Sequence, residues 1–167
     1  LVPSTESFIR NILLGQEYYR KEFGVESTDI FLPDCFGFGW TLPTIAAHCG
    51  LIGFSSQKLD WRNHPFYGKS KHPFMKGVDG ASIMLAHGYD YGRRWKDEDL
   101  SESNYLLELS KRNPFNIVYR YYGTGDTGGS PNLASVRSVE KGIKGDGPVE
   151  VISATSDQMF KDFMPYD

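Results

Sequence analysis

Two short apolar runs with a helix between them, all within roughly thirty residues, limit most strongly what this chain can fold into. Residues 28–32, TDIFL, read as a short buried strand, and 51–57, LIGFSSQ, read as another. Between them Thr41-Leu42-Pro43 offers a cap hydroxyl and a proline suited to a first helical turn. The helix runs on through Ile45, Ala46 and Ala47 and stops at Gly50. A strand, a helix and a strand at this spacing predict parallel pairing, because a parallel connection needs a crossover and the helix is that crossover.

The rest of the chain continues the alternation. Behind Pro3-Ser4-Thr5 the residues Phe8, Ile12, Tyr19 and Phe23, with Ile9 and Leu13 beside them, recur at helical spacing up to Gly24, which predicts an amphipathic helix over 4–23. Residues 58–72 carry neither period and read as a surface excursion. Asp79-Gly80 between 74–78 and 82–86 predicts a hairpin with a two-residue turn. After a loop over 87–99, a helix carrying Leu100, Leu106, Leu107 and Leu109 leads to a predicted strand at 116–122. A glycine-rich loop follows, then a helix over 131–143 capped by Ser130-Pro131 and holding Leu133, Val136 and Ile143. A strand at 149–153 and a helical turn near Ser156 close the chain. Nothing reads as an internal repeat, low-complexity tract or linker, so residues 1–167 are expected to be a single domain or part of one.

Composition removes several partner classes. Of 167 residues, 40% are hydrophobic, and 18 basic against 21 acidic residues leave a net charge of −3, as in an ordinary folded domain. The charges come in mixed clusters such as Arg93-Arg94-Trp95-Lys96-Asp97-Glu98-Asp99, which give neither a basic field for nucleic acid nor an amphipathic anchor for a membrane. Cys35 and Cys49 form no CxxC pair, so they predict neither a disulfide framework nor a closed zinc site. The four histidines, His48, His64, His72 and His87, show no metal-ligand spacing. The chain opens on Leu1 and moves at once into a helix, so an upstream part is expected, and compartment and oligomeric state stay open.

Parallel sheets place their ligands at the carboxyl ends of the strands, which ranks the loops. Asp34 follows the first strand, Lys58 and Asp60 the second, His87 and Asp90 the hairpin, and Asp126 the strand at 116–122. Two carboxylates on one rim, Asp34 and Asp126, are what glycoside hydrolysis asks for: one to attack or stabilise the sugar's oxocarbenium-like carbon and one to shuttle a proton. The competing account makes Asp34 a turn former after Pro33 and Asp126 a loop residue chosen for its backbone tolerance. Phe36, Phe38 and Trp40 beside Asp34, with Trp61 and Tyr89 on neighbouring loops, suit the C–H faces of sugar rings. Core packing explains such aromatics too, and Phe38 or Trp40 can instead staple the turn onto its helix. The loop 123–129, GTGDTGG, lacks the lysine of a phosphate loop and carries an aspartate that repels phosphate.

The stretch LPDCFGFGWTLPTIAAHCGLIGFSSQKLDW resembles the nucleophile region of glycoside hydrolase family 38, the retaining α-mannosidases. It shares the strand-ending Asp-x-Phe-Gly, the Leu-Pro helix with its closing glycine, and Gln-Lys-Leu-x-Trp after the next strand. PSTESFIRNILLGQEYYRKEFGV resembles the helix before that strand, and YRYYGTGDTGGSP the later acid/base loop. The resemblance implies an incomplete (β/α) seven-stranded barrel-like catalytic domain with mostly parallel strands, holding zinc and acting on a mannose-containing oligosaccharide or glycoside. It makes Asp34 both metal ligand and nucleophile and Asp126 the general acid/base. Phe36 packs near the sugar, and Lys58 lies beside the nucleophile and holds its charge. With Trp61 and Tyr89, these two form the expected substrate contacts. The family's His-x-Asp metal pair and its later histidine have no counterpart here, so the chain is expected to be a middle piece, inactive and metal-poor by itself, with part of its sheet edge unpaired. Two other readings stand beside this one: a polysaccharide deacetylase-like barrel using Asp34 as ligand or base, and a catalytically silent carbohydrate-binding domain.

Overall fold

The computed structural model describes residues 3–58, 74–87, 92–112 and 116–163. They fall into two compact units, one of Leu1–Gly88 with Ser156–Asp167 and one of Tyr89–Thr155.

The first unit is built on a four-stranded sheet in the order β1-β2-β4-β3, with β1 Asp29–Phe31, β2 Gly53–Ser56, β3 Phe74–Lys76 and β4 Ser82–His87. As expected from the crossover spacing, β1 and β2 run parallel, Ile30 opposite Phe54, and β4 continues the parallel set with Leu85 opposite Phe54. β3 is antiparallel to β4. Every residue of β2 is buried, as a central strand covered on both faces requires. One face carries the main core, Leu42, Ala46, Leu51, Phe54, Ile83 and Leu85, to which helix α2 (Leu42–His48) contributes two residues. On the alternate side of β2, helix α5 (Ser156–Phe163) lays the fully buried ring of Phe160 over Gly53, where any Cβ would overlap it. Position 53 is a glycine because the ring takes the space a side chain would fill.

Helix α1 (Thr5–Phe23) starts at Ser4, whose hydroxyl accepts from the Ser7 amide, and ends at Gly24 in the left-handed region. Phe8 and Ile12 reach the core, but Leu13, Tyr19 and Phe23 are exposed. Only the first half of the expected apolar stripe therefore docks. Midway along the helix the Gln16 amide donates to the carbonyls of Cys49 and Ser27, a polar contact that adds to the apolar ones. Two expected details of local chemistry are corrected. Thr41 makes no side-chain cap on α2. The hairpin is real, but its connection spans 77–81, because Lys76 already pairs with Ser82 and the Asp79 carboxylate accepts from Ala81 inside the loop.

The second unit has no strand among its described residues. It consists of a 3-10 turn at Leu100–Glu102, helix α3 (Asn104–Ser110) and helix α4 (Leu133–Lys144) around Trp95, Leu100 and Leu106. The strands expected at 116–122 and 149–153 do not form. Val118, Tyr122, Val149 and Val151 pack on that cluster instead, so their alternation is met by side-chain burial without a ladder. α4 is capped by Asn132, not by Ser130-Pro131, and its expected apolar residues Leu133 and Ile143 are exposed. It buries Ser135, Ser138 and Gly142. The two serine hydroxyls accept the amides of Trp95 and Glu98, each at 2.9 Å, and so pin an irregular segment to a regular helix. Gly147 lies against the Ser101 backbone, where a Cβ does not fit. Among the described residues no helix is long and apolar enough to cross a membrane.

Candidate active site

Adjacent parallel strands release their chains at the same edge of the sheet, and this brings Asp34 and Lys58 together. The ladder runs one residue past β1, with the Leu32 amide donating to the Ser55 carbonyl, before Pro33 ends it and Asp34 follows. One strand over, the Ser56 hydroxyl accepts the Lys58 amide and turns the chain as β2 ends. The Lys58 ammonium then stands 2.7 Å from Asp34 Oδ1, its side chain 14% exposed against 55% for Asp34. It also lies 4.7 Å from the centre of the Phe36 ring. A mostly shielded ammonium held by a carboxylate and an aromatic face is fixed in place, and it fixes the carboxylate in turn.

The neighbouring aromatics divide their work. Phe38 packs edge-on to Phe54, ring centres 4.8 Å apart, and is the residue that fastens the turn to the core. Phe36 and Trp40 are 73% and 74% exposed, so Trp40 does not staple the turn. Cys35 and Cys49 are free thiols, and burial pushes Cys49 up, away from the thiolate form. His87 ends β4 opposite Ser56 of β2 and so belongs to the same sheet edge by register. Trp61 and Tyr89, like Asp60 and Asp90, lie outside the described residues.

Asp126 belongs to the second unit. It is exposed, with φ of 60°, a backbone angle that aspartate tolerates better than most residues. The root of its loop is tied down by the Gly123 amide donating to the Arg93 carbonyl, and its end by the Thr124 hydroxyl donating to the Ser130 carbonyl.

Residues 1–164 match the family model described as glycosyl hydrolases family 38 N-terminal domain. The chain belongs to glycosyl hydrolase family 38. It is 34% identical over 171 residues to alpha-mannosidase G of Dictyostelium discoideum, an alignment covering 99% of this chain and 15% of that protein. Alpha-mannosidase of Saccharomyces cerevisiae is 29% identical over 98% of the chain and 16% of its own length, and alpha-mannosidase 2C1 of Homo sapiens is 28% identical over 95% and 15%. The chain thus spans about a sixth of the length of the curated relatives it matches.

The zinc that the family-38 resemblance implies needs about four ligands, three of them from protein in a catalytic site. Among the described residues no group of three or more His, Cys, Asp or Glu side chains could hold a metal, and Asp34 offers one carboxylate. These residues do not make up a zinc site. A different cluster escaped the sequence reading. Asp79 of the hairpin accepts the Thr44 hydroxyl at 2.7 Å and meets His48 Nε2 at 2.7 Å, which ties the loop to α2. The partners stand 31 and 35 residues away, and no local pattern announces them.

Proposed function

We propose that this family-38 chain carries the nucleophile segment of a retaining α-mannosidase. The observation that carries the reading is the Asp34–Lys58 pair beside the open Phe36 ring, at the carboxyl ends of parallel strands. The named alpha-mannosidases among its relatives support it.

The chemistry follows from the residue types. Asp34 attacks the anomeric carbon of the mannoside, an O–C bond forms to the sugar as the glycosidic C–O bond breaks, and Asp126 gives its proton to the departing oxygen. Water then attacks the same carbon, its proton passes to Asp126, and free mannose leaves Asp34; two inversions return the starting configuration. Lys58 holds the carboxylate in one position for the attack, and Phe36 gives the sugar an aromatic surface, to which the resemblance to the family adds Trp61 and Tyr89. The four-stranded sheet is, on this reading, part of a seven-stranded barrel-like catalytic domain. Zinc would need ligands beyond the described residues.

A 2-deoxy-2-fluoro mannosyl fluoride incubated with the full-length protein tests this. The expected result is a glycosyl ester on the peptide containing Asp34, absent in Asp34→Asn. A labelled carboxylate elsewhere, or acetate release from an acetylated glycan without glycoside cleavage, overturns it. Lys58→Met is expected to lower kcat by about tenfold or more while the fold is kept, since the carboxylate loses its positioning partner.

A further inference from the structure

The second unit carries an assembly that glycoside cleavage does not use. The Arg93 guanidinium lies 4.6 Å from the centre of the Trp95 ring and 4.8 Å from that of Tyr105. Arg120 comes to the same tyrosine, 5.8 Å from its ring centre, and donates from Nη2 to its hydroxyl at 2.9 Å. Trp95 is buried whereas Tyr105 is 46% exposed, so the cluster has a closed floor and reaches solvent at the tyrosine.

Two cations gathered on one ring repel each other, and ring faces attract them without cancelling their charge. Among the described residues neither guanidinium has a carboxylate at ion-pair distance. Several acids of the unit are engaged elsewhere: Asp97 with Arg137 and Lys141, Glu108 with Lys111, and Asp99 with Ser101. The Nε atoms of Arg93 and Arg120 are buried and have no acceptor. Each arginine is thus fixed at its stem by packing, with no counter-charge from the described protein. Both are also anchored to the Asp126 loop: the Arg93 carbonyl accepts the Gly123 amide, and Arg120 precedes that glycine by three residues.

We propose that Arg93, Arg120 and Tyr105 form an anion subsite that takes a phosphate ester carried by a mannose-containing glycan. The glycan part rests on the glycosidase reading; the anion part rests on the arginines alone. Charge decides for phosphate over carboxylate. A phosphate monoester carries roughly −1.5 to −2 at neutral pH and has three acceptor oxygens, enough for two guanidiniums, whereas a carboxylate satisfies one fork.

The test is calorimetric titration of the full-length protein with mannose 6-phosphate, inorganic phosphate, glucuronate and mannose. Mannose 6-phosphate is expected to bind about tenfold or more tightly than any of the other three. Arg93→Gln and Arg120→Gln are each expected to weaken it by about tenfold or more, and Arg120→Lys by less, since the charge stays and the fork is lost. Circular dichroism confirms that the variants fold; should either unfold, Tyr105→Phe, which removes only the hydroxyl steering Arg120, is expected to weaken binding severalfold. Equal binding of mannose, glucuronate or inorganic phosphate overturns the proposal, as does failure of all four to bind or binding indifferent to the variants. Sugar-phosphate binding in a protein that gives no Asp34 adduct removes the glycosidase mechanism and leaves the subsite; an adduct without sugar-phosphate binding removes the subsite alone.

Discussion

The two units solve the same problem by different means. The first fixes its candidate-site side chains through a parallel ladder buried on both faces, and Asp34 and Lys58 meet because their strands are neighbours. The second fixes its loops through hydroxyls and close backbone contacts on helix α4, with Ser135 and Ser138 accepting amides that no strand satisfies. Where large rings fill a core, loss of volume is the main vulnerability; where hydroxyls stitch irregular chain, loss of one acceptor is.

The largest effect separating the two is expected at Phe160. Truncating this fully buried ring to alanine should cost about 3–5 kcal/mol, read as a lower denaturant midpoint. Its dependence on Gly53 gives a sharper test. Gly53→Ala should destabilise the native chain, because the new Cβ overlaps the ring, and should cost much less in the Phe160→Ala background. Additive effects in that cycle would show that the ring and the glycine do not share the space.

A smaller cost is expected in the second unit from an almost isosteric change. Ser135→Ala leaves the Trp95 amide without its acceptor in a buried place and should cost about 1–3 kcal/mol. Ser138→Ala, at the half-buried amide of Glu98, should cost less. Amide hydrogen exchange at Trp95 and Glu98 should speed up in the respective variants. Unchanged exchange would mean that these segments are held by the Trp95 cluster alone, as volume holds the first unit.

That difference also explains what could be read from the sequence. The β1–α2–β2 unit was legible because its signals are local: apolar runs, Pro43 in the first helical turn and Gly50 at its end. The topology set Asp34 and Lys58 on one rim, since parallel neighbours end together, and the resemblance to the family set them side by side, where the structure has them. The β-branched runs at 116–122 and 149–153 looked like strands because alternation reports which side chains are buried and says nothing about which backbone will pair. Nothing in the sequence marks Ser135 and Ser138, because a hydroxyl carries no apolar signal even when it is fully buried. Arg93 and Arg120 stand 27 positions apart in two irregular segments, and the placement of Tyr105, which no local pattern announces, unites them.

The smallest effects are expected from two aspartates of the first unit, and their opposite signs make them separable by pH. The Thr44 hydroxyl first, and the His48 imidazole second, hold Asp79 down at about 2. Its stabilising contribution is therefore present above the unfolded value near 4 and is lost as pH falls towards 2. Asp29 behaves the other way. Burial raises it, with the Asp157 charge adding to the rise and the Ser156 hydroxyl and Lys161 opposing it. The folded state then holds the proton more tightly than the unfolded chain, so stability falls as pH rises through the interval above its ordinary value, and the cost persists at neutral pH. Asp29→Asn, which can keep the Ser156 hydrogen bond, should therefore raise the melting temperature slightly at pH 7 and leave it unchanged near pH 3. Asp79→Asn should lower it at pH 7 and converge with the native chain near pH 2. Parallel melting-temperature profiles for the two variants would mean that neither carboxylate's partners govern its titration, and the ion pairs of this unit would then contribute position and no stability.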